Sequence, residues 1–291
     1  MTRTPLATLS IIIPAKNEAP SLTPLLKALQ HQHPQAEIIL VNDGSSDNTQ
    51  TVCHDAGVTC ITHPYSMGNG AAIKSGARAA SGDILVFMDG DGQHRPEEIQ
   101  SLLDKLDEGY DMVVGARSRS GQASMGRLAA NSLYNRLASW MTGHPVKDLT
   151  SGFRAVRADK FHEFLHLLPN GFSYPTTSTM AFFRAGYAVT YVPINVRQRE
   201  GKSHINIWKD GVRFLLIIFK VGTLYSPLKL FIPISLLHGL IGISYYAYTF
   251  FTMGRFTNMS AMLLSSAVII FLIGLISEQI TALLYQDRSR K

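Results

Sequence analysis

The chain has 291 residues, 46% of them hydrophobic and 16% charged, with a formal net charge of +6 at pH 7. This makeup fits one soluble domain plus a short membrane segment, and the positive excess lies beside apolar stretches rather than in a basic-aromatic repeat, which excludes nucleic acid as the partner. Cys53 and Cys60 have no companions at metal-ligand spacing, which excludes a thiolate metal site and fits reduced thiols in a cytosol.

Residues 9–14, LSIIIP, form a short buried-strand pattern ending in proline, followed by Lys16-Asn17-Glu18 and a helical stretch to about residue 30. The amino-terminal apolar stretch is soon interrupted by charge and reads as strand, not as a signal peptide. Residues 36–41 predict a second strand, and Asn42-Asp43-Gly44-Ser45-Ser46-Asp47 combines turn chemistry with an N-cap for the next helix. A third unit has strand at 58–62 and helix at 71–80, introduced by Gly68-Asn69-Gly70. Strand at 83–88, helix at 96–106 and strand at 111–115 continue the alternation. The expected class is α/β, a doubly wound, mostly parallel sheet whose ligand site lies outside the carboxyl ends of the strands. Glu18, Asp43, Asp89 and Asp91 all fall at those ends.

The fourth strand runs into Met88-Asp89-Gly90-Asp91-Gly92-Gln93. Two acidic side chains one residue apart point the same way where an extended strand ends, and the neighbouring glycines let a bulky ligand approach the backbone. Carboxylate and diphosphate oxygens repel one another, so the pair suits a hard divalent cation with positions left open for a diphosphate. The plain alternative is a solvated Asp-Gly-Asp-Gly turn ahead of the helix at Pro96.

Further along, Gly201-Lys202-Ser203 copies the end of a phosphate-binding P-loop, but the first glycine of that pattern would be residue 196, which is Val. Arg197, Arg199 and Lys202 instead form a cationic cluster suited to a lipid phosphate, by fork geometry and point charge respectively. The plain alternative is a solvated basic loop drawn to anionic lipid. Ile205, Trp208, Val212, Leu215, Leu216 and Phe219 then recur at helical spacing, with Lys209, Arg213 and Lys220 on other faces, as in a segment lying in a membrane interface. No charged residue occurs from 230 to 254 or from 256 to 277, and each run can cross a hydrocarbon core of about 30 Å. Lys and Arg crowd the outer flanks, with only Arg255 in the loop, which puts both flanks and the amino-terminal domain in the cytoplasm. Glu278 either snorkels or marks a helix contact. The expected parts are a cytosolic domain at 1–204, an amphipathic juxtamembrane segment at 205–228, and a transmembrane hairpin with a basic tail at 229–291.

Seven segments occur in a telling order: Ile13 to Glu18 (IPAKNE), Val41 to Asp47 (VNDGSSD), Gly70-Ala71-Ala72, Ser81-Gly82-Asp83, Asp89 to His94 (DGDGQH), Gly115-Ala116-Arg117 and Ser151-Gly152-Phe153-Arg154. With these, the first two-thirds of the chain resembles the inverting family 2 glycosyltransferases of the GT-A fold, and among them the dolichyl-phosphate mannose synthase-like, polyprenyl-phosphate glycosyltransferases. The resemblance implies that Pro14, Glu18, Asp43 and Asp89 meet the donor nucleotide, with Asn42 where many relatives carry a second aspartate. It implies that Asp89, Asp91 and Gln93 hold a Mg or Mn ion on the donor diphosphate. Arg117 and Arg154 would face phosphates, and Arg199 and Lys202 the lipid phosphate, although His204 replaces a lysine frequent in relatives. Asp91 and Asp148 are the catalytic candidates, Asp148 as a carboxylate that orients the attack. Residues 170–179 would contact donor or acceptor, whereas His94 and His204 read as structural.

The implied reaction moves one sugar from a nucleotide diphosphate-sugar to a polyprenyl phosphate, dolichyl or undecaprenyl, at the cytoplasmic face of the inner membrane or another membrane containing prenyl phosphate. The expected partners are that donor, that lipid acceptor and the membrane, with a homo-oligomer allowed and no nucleic acid. One rival is a transferase acting on a lipid hydroxyl or a growing polysaccharide, which a Gln-x-x-Arg-Trp motif would favour and which Trp140 and Trp208 do not supply. Another is a catalytically idle, membrane-tethered nucleotide-binding module, against which both Asp89 and Asp91 stand.

Overall fold

The computed structural model describes residues 7–117, 125–171, 173–196, 219 and 222–286, without the side chains of 125–131 and 284–286. The chain divides into two compact units, Met1–His204 and Ile205–Lys291.

Seven strands build the sheet of the first unit: β1 (Leu9–Ala15), β2 (Glu37–Asn42), β3 (Thr59–Thr62), β4 (Ile84–Phe87), β5 (Met112–Arg117), β6 (Arg154–Arg157) and β7 (Val189–Ile194). Their spatial order is β3-β2-β1-β4-β6-β5-β7. The pairings from β3 across to β4 are parallel, as is β5 with β7. β6 alone is reversed, antiparallel to both β4 and β5. The expected mostly parallel sheet is therefore present, with one inserted strand that the alternation of apolar runs did not announce.

Helices on both faces explain why the central strands read as unbroken apolar runs: Ile11, Ile12 and Ile13 are all fully buried. Ile11 and Ile13 share a core with Leu22, Leu25, Leu26 and Leu29, the apolar stripe of α1 (Ala19–Gln32). Ile12 faces the other side, against α3 (Asn69–Ala79), where a Cβ on Gly76 would come within 2.4 Å of its Cγ2. On the same face as α1 lies α2 (Thr49–Asp55), whose Cys53 joins the α1 core and whose N-cap position is Asn48. The accepting side chain there is Asp47, one residue earlier. Its Oδ1 accepts from the Thr49 N–H at 3.0 Å and its Oδ2 from the Ala19 N–H at 3.1 Å, so one carboxylate serves the first residues of two helices.

A 3-10 turn, Pro96–Glu98, leads into α4 (Ile99–Asp107), and α5 (Met125–Thr142), α6 (Ala158–Glu163) and α7 (Tyr174–Arg184) are the further helices among the described residues of this unit.

The second unit contains α8 (Pro227–Met253) and α9 (Asn258–Gln286). Both are long and apolar enough to cross a membrane, over Pro227–Met253 and Asn258–Leu283. Gly254, at φ 63°, ends α8 in the left-handed conformation that glycine adopts without strain. The pair packs closely where side chains are small: a Cβ on Gly274 would lie 2.6 Å from Phe231 Cβ, and Ser235 Oγ donates to the Ala267 carbonyl at 2.8 Å. Glu278 marks a helix contact, its Oε2 accepting from the Leu228 N–H at 3.3 Å near the start of α8. Most of the expected amphipathic segment, and Arg197, Arg199 and Lys202 with it, lie outside the described residues.

Candidate active site

The carboxyl ends of β1, β2, β4 and β5 lie along one edge of the sheet, and the reversed β6 begins at that same edge. Arg154, its first residue, pairs with Phe87 at the end of β4 and with Val114 near the end of β5. The residues just before it, 148–153, are thereby brought beside Asp89.

Gly90 packs behind the pair of carboxylates, where a Cβ would meet the Pro14 carbonyl at 3.2 Å. Ser21 Oγ donates to the Gly90 carbonyl at 2.8 Å and so fastens this turn to α1. Asp91 Oδ1 accepts from the Gln93 N–H at 3.1 Å across Gly92, whose φ is 71°. The Asp89 side chain is 38% exposed, with His94 Nε2 at 3.7 Å from its Oδ2. His94 itself is buried and stacks on Phe153, ring centroids 4.9 Å apart and 14° between planes, a packing role in keeping with its structural reading. Gly152 closes on Asp89 from the other side: a Cβ there would stand 3.1 and 3.2 Å from its two oxygens. The Tyr174 hydroxyl donates to the Gly152 carbonyl at 3.2 Å.

At the end of β5, Arg117 and Asp148 form a two-point ion pair, Nε to Oδ2 at 2.8 Å and Nη2 to Oδ1 at 2.9 Å, and Nη2 also donates to Thr150 Oγ1 at 2.6 Å. Burial alone would push the Asp148 carboxyl up. The bonds and charge of Arg117, with the N–H groups of Arg117 and Thr150, outweigh it and hold the carboxyl below the usual carboxylate range. Arg117 also lies within electrostatic reach of Asp89.

Toward β1 and β2, the Glu18 carbonyl accepts from Ser21 and Leu22 at the start of α1, and Asn17 joins this turn to the next loop by accepting from the Ser46 N–H at 2.8 Å. Pro14 is buried within β1. Asp43 differs from the expectation that it meets a nucleoside. It is 4% exposed, and its two oxygens accept from His63 Nδ1, the Met67 N–H, Ser66 Oγ and the Gly68 N–H at 2.7 to 2.9 Å. Those four bonds fill the lone-pair sites of a carboxylate, so Asp43 shapes the 63–68 loop and has no vacancy for a base. Burial pushes its carboxyl up, but these four donors hold it below the ordinary value.

Arg154 is the second correction. Expected at a phosphate, it is fully buried, and its guanidinium donates inward to α7 and to the Ser151 carbonyl. The hydroxyl run of the 170–179 segment is the third. Thr176, Thr177, Ser178 and Thr179 are all buried within α7, where Ser178 and Thr179 donate to carbonyls one turn back. Within the 170–179 segment nothing singled out Tyr174 as the partner of Gly152, and no motif marked His63 beneath Asp43.

The donor set fits a hard cation. Asp89 and Asp91 offer carboxylate oxygens and Gln93 an amide, while among the described residues no three His, Cys, Asp or Glu side chains converge on one point. A cation there would be incompletely wrapped by protein, with coordination positions left for phosphate oxygens and water.

The sequence profile described as Glycosyl transferase family 2 matches residues 10–165, more than half of the chain. The chain belongs to glycosyl transferase family 2. A second profile, the GtrB C-terminal hairpin, matches residues 226–283 of this transferase. Over 205 residues it is 28% identical to polyprenol monophosphomannose synthase of Mycolicibacterium smegmatis, an alignment that covers 65% of this chain and 77% of that one. In the solved structures it is similar to glucosyl-3-phosphoglycerate synthase of Mycobacterium tuberculosis in complex with Mn2+, UDP and glucosyl-3-phosphoglycerate, with a TM-score of 0.60 and 21% identity over 75% of this chain and 79% of that one. The same enzyme with phosphoglyceric acid gives a TM-score of 0.60 at 20% identity and the same coverage. At those identities the likeness shows the GT-A fold. The transferase is thus a family 2 glycosyltransferase related to a polyprenol-phosphate sugar synthase, with a two-helix apolar hairpin.

Proposed function

We propose that this transferase moves a single sugar from a nucleotide diphosphate-sugar to a polyprenyl phosphate, with inversion, at the cytoplasmic face of a membrane. The observation that carries the reading is the sharing of one sheet edge by the exposed Asp89 carboxylate and the Arg117–Asp148 pair, in a chain whose second unit is a membrane-length hairpin. The kinship with a polyprenol monophosphomannose synthase supports the acceptor class.

Asp89, Asp91 and Gln93 would hold a Mg or Mn ion on the donor diphosphate, where the cation supplies charge neutralisation for the departing nucleotide. Pro14 and Glu18 would border the nucleoside. Arg117 has one guanidinium edge occupied by Asp148 and Thr150, so Nη1 is the group that would meet a phosphate. An acceptor phosphate is already ionised near neutral pH, so the site needs no strong general base, and aligning two phosphate-bearing substrates is the larger task. Asp148 then acts through Arg117 and not on the acceptor itself. Arg199 and Lys202 would add charge for the lipid phosphate near the membrane.

The test is to incubate membranes bearing the transferase with labelled UDP- and GDP-sugars and extract the lipid. The expected product is one sugar on a polyprenyl phosphate, formed only with Mg or Mn and with anomeric configuration opposite to the donor. A glycosylated lipid hydroxyl, a water-soluble polymer, or donor binding without transfer would overturn the reading.

A further inference from the structure

Arg154 is an arginine buried to 0% exposure with only neutral groups in its direct hydrogen bonds. Nη1 donates to the Pro175 carbonyl at 2.9 Å, Ser178 Oγ at 2.8 Å and Thr179 Oγ1 at 3.1 Å, and Nη2 donates to the Ser151 carbonyl. The guanidinium lies 5.9 Å from the centre of the Tyr174 ring. A buried charge without a bonded counter-ion is costly, and an apolar side chain of similar volume could fill the same space more cheaply. Stability alone therefore does not account for an arginine at this position.

What the fork does geometrically is join two pieces of backbone. One is the first turn of α7, and the other is Ser151. The residue after Ser151 is Gly152, so close to Asp89 that a Cβ on it would stand 3.1 and 3.2 Å from the two carboxylate oxygens, and its carbonyl accepts from the hydroxyl of Tyr174, itself in the first turn of α7. A short chain of contacts thus runs from Arg154 through Ser151 and Gly152 to the carboxylate assigned to the metal, with Tyr174 as a second strut. The charge of Arg154 also lies within electrostatic reach of Asp89 and Asp148.

We propose that Arg154 is a positioning residue for sugar transfer, a buried fork that fixes the 151–152 backbone on α7 and thereby sets the orientation of Asp89. The proposal rests on the reading of Asp89 as a metal carboxylate. The planar guanidinium is essential to it, because an ammonium on a flexible stem cannot hold the Ser151 carbonyl and the α7 group together.

The experiment uses the full chain in nanodiscs, with Mn2+ as the probe and UDP and GDP as nucleotides. Nucleotide-dependent Mn2+ binding is followed by electron paramagnetic resonance, alongside the melting temperature and, with the donor found active, kcat and KM. Arg154→Lys and Arg154→Met are each expected to raise the Mn2+ half-saturation concentration about tenfold, the lower end of what losing a support behind a metal ligand costs. Both are expected to lower kcat while leaving a cooperative melt. Tyr174→Phe, which keeps the ring and loses the bond to Gly152, should shift half-saturation in the same direction by a smaller factor, and it decides the matter if neither Arg154 variant folds. Variants that lower only the melting temperature, a lysine that restores the wild-type half-saturation, or an unshifted Tyr174→Phe where it decides would overturn the proposal. A wild-type protein that binds no Mn2+ with either nucleotide removes the reading of the site and the proposal together, a result distinct from an Arg154 effect that is absent while the wild type binds.

Discussion

The Asp148 carboxylate lies inside the protein, 6% exposed, while the Arg117 guanidinium it holds through Nε at 2.8 Å is 32% exposed. The acid is placed to aim the base, and the base is the half of the pair that solvent reaches. Asp148→Asn should therefore reduce transfer at least tenfold, chiefly through the acceptor or diphosphate terms. It should also destabilise the unit by about 2 kcal/mol, below the 3–5 of a fully buried pair because Arg117 is partly solvated. Denaturant midpoints and steady-state kinetics measure the two effects. The pH dependence has a definite sign: the folded carboxyl lies below its unfolded value near 3.9, so its stabilisation is present above about pH 4 and is lost as pH falls through the folded value. The variant should show a lower plateau at neutral pH and a shallower acid limb.

Asp91→Asn and Asp89→Asn should each abolish transfer with the fold retained, because each removes a charged oxygen from a hard cation at a solvent-facing turn. Circular dichroism and metal-dependent turnover are the checks. Near-native turnover in either variant would remove the metal assignment.

Asp43→Asn should act at a distance from the chemistry. Where four donors converge on two oxygens, an amide keeps one acceptor and turns an N–H toward the others, at a cost of about 1–3 kcal/mol. The expected outcome is a lower melting temperature and faster proteolysis within 63–68, with turnover at saturating donor largely preserved.

Gly70→Ala sets two effects against each other. Alanine gains up to about 1 kcal/mol of helix propensity over glycine. Its Cβ would stand 2.0 Å from the Pro169 carbonyl and 2.8 Å from that of Gly171, in a backbone stretch held to the first turn of α3 by the Gly70 N–H donating to the Gly171 carbonyl and the Ala71 N–H to the Asn170 carbonyl. Overpacking against backbone costs about 1–3 kcal/mol, so net destabilisation is expected and thermal melting will measure it.

A chain ending at His204 keeps the whole first unit. It should bind nucleotide with metal and use long-chain polyprenyl phosphate in bilayers poorly, a loss read by comparing soluble short-chain and embedded acceptors. Full activity on the embedded acceptor would make the hairpin dispensable for presentation.

The repeating strand and helix units to residue 117 were legible because each is local: apolar runs of fixed length, punctuated by glycine, proline and Asx turns. Asp89 and Asp91 stood out for the same reason, as acids flanked by glycine at a strand end. β6 did not, since Arg154-Ala155-Val156-Arg157 looks like a polar surface segment, and its burial depends on pairings with β4 and β5. Arg154 was expected at a phosphate from the resemblance carried by Ser151-Gly152-Phe153-Arg154, and because arginine is almost never fully buried nothing local signals the burial it has. The run from Thr176 to Thr179 misled in a similar way, because these hydroxyls are buried: Ser178 and Thr179 donate to carbonyls of their own helix, and Thr176 accepts from the Tyr134 hydroxyl. Asp43 was placed at the right strand end, but its four donors come from residues 63–68, whose approach no local pattern reveals.

The reversed strand also bears on how the protein folds. β1 meets β2 across one short helical connection, so that half of the sheet closes small loops, whereas β4 reaches β6 only after roughly seventy intervening residues have been gathered in. The edge carrying Asp89, Gly152 and Arg117 is then completed late, after the β1-α1-β2 half has formed. Amide hydrogen exchange during refolding should register protection in Ile38 to Val41 before it appears in Ala155 and Val156.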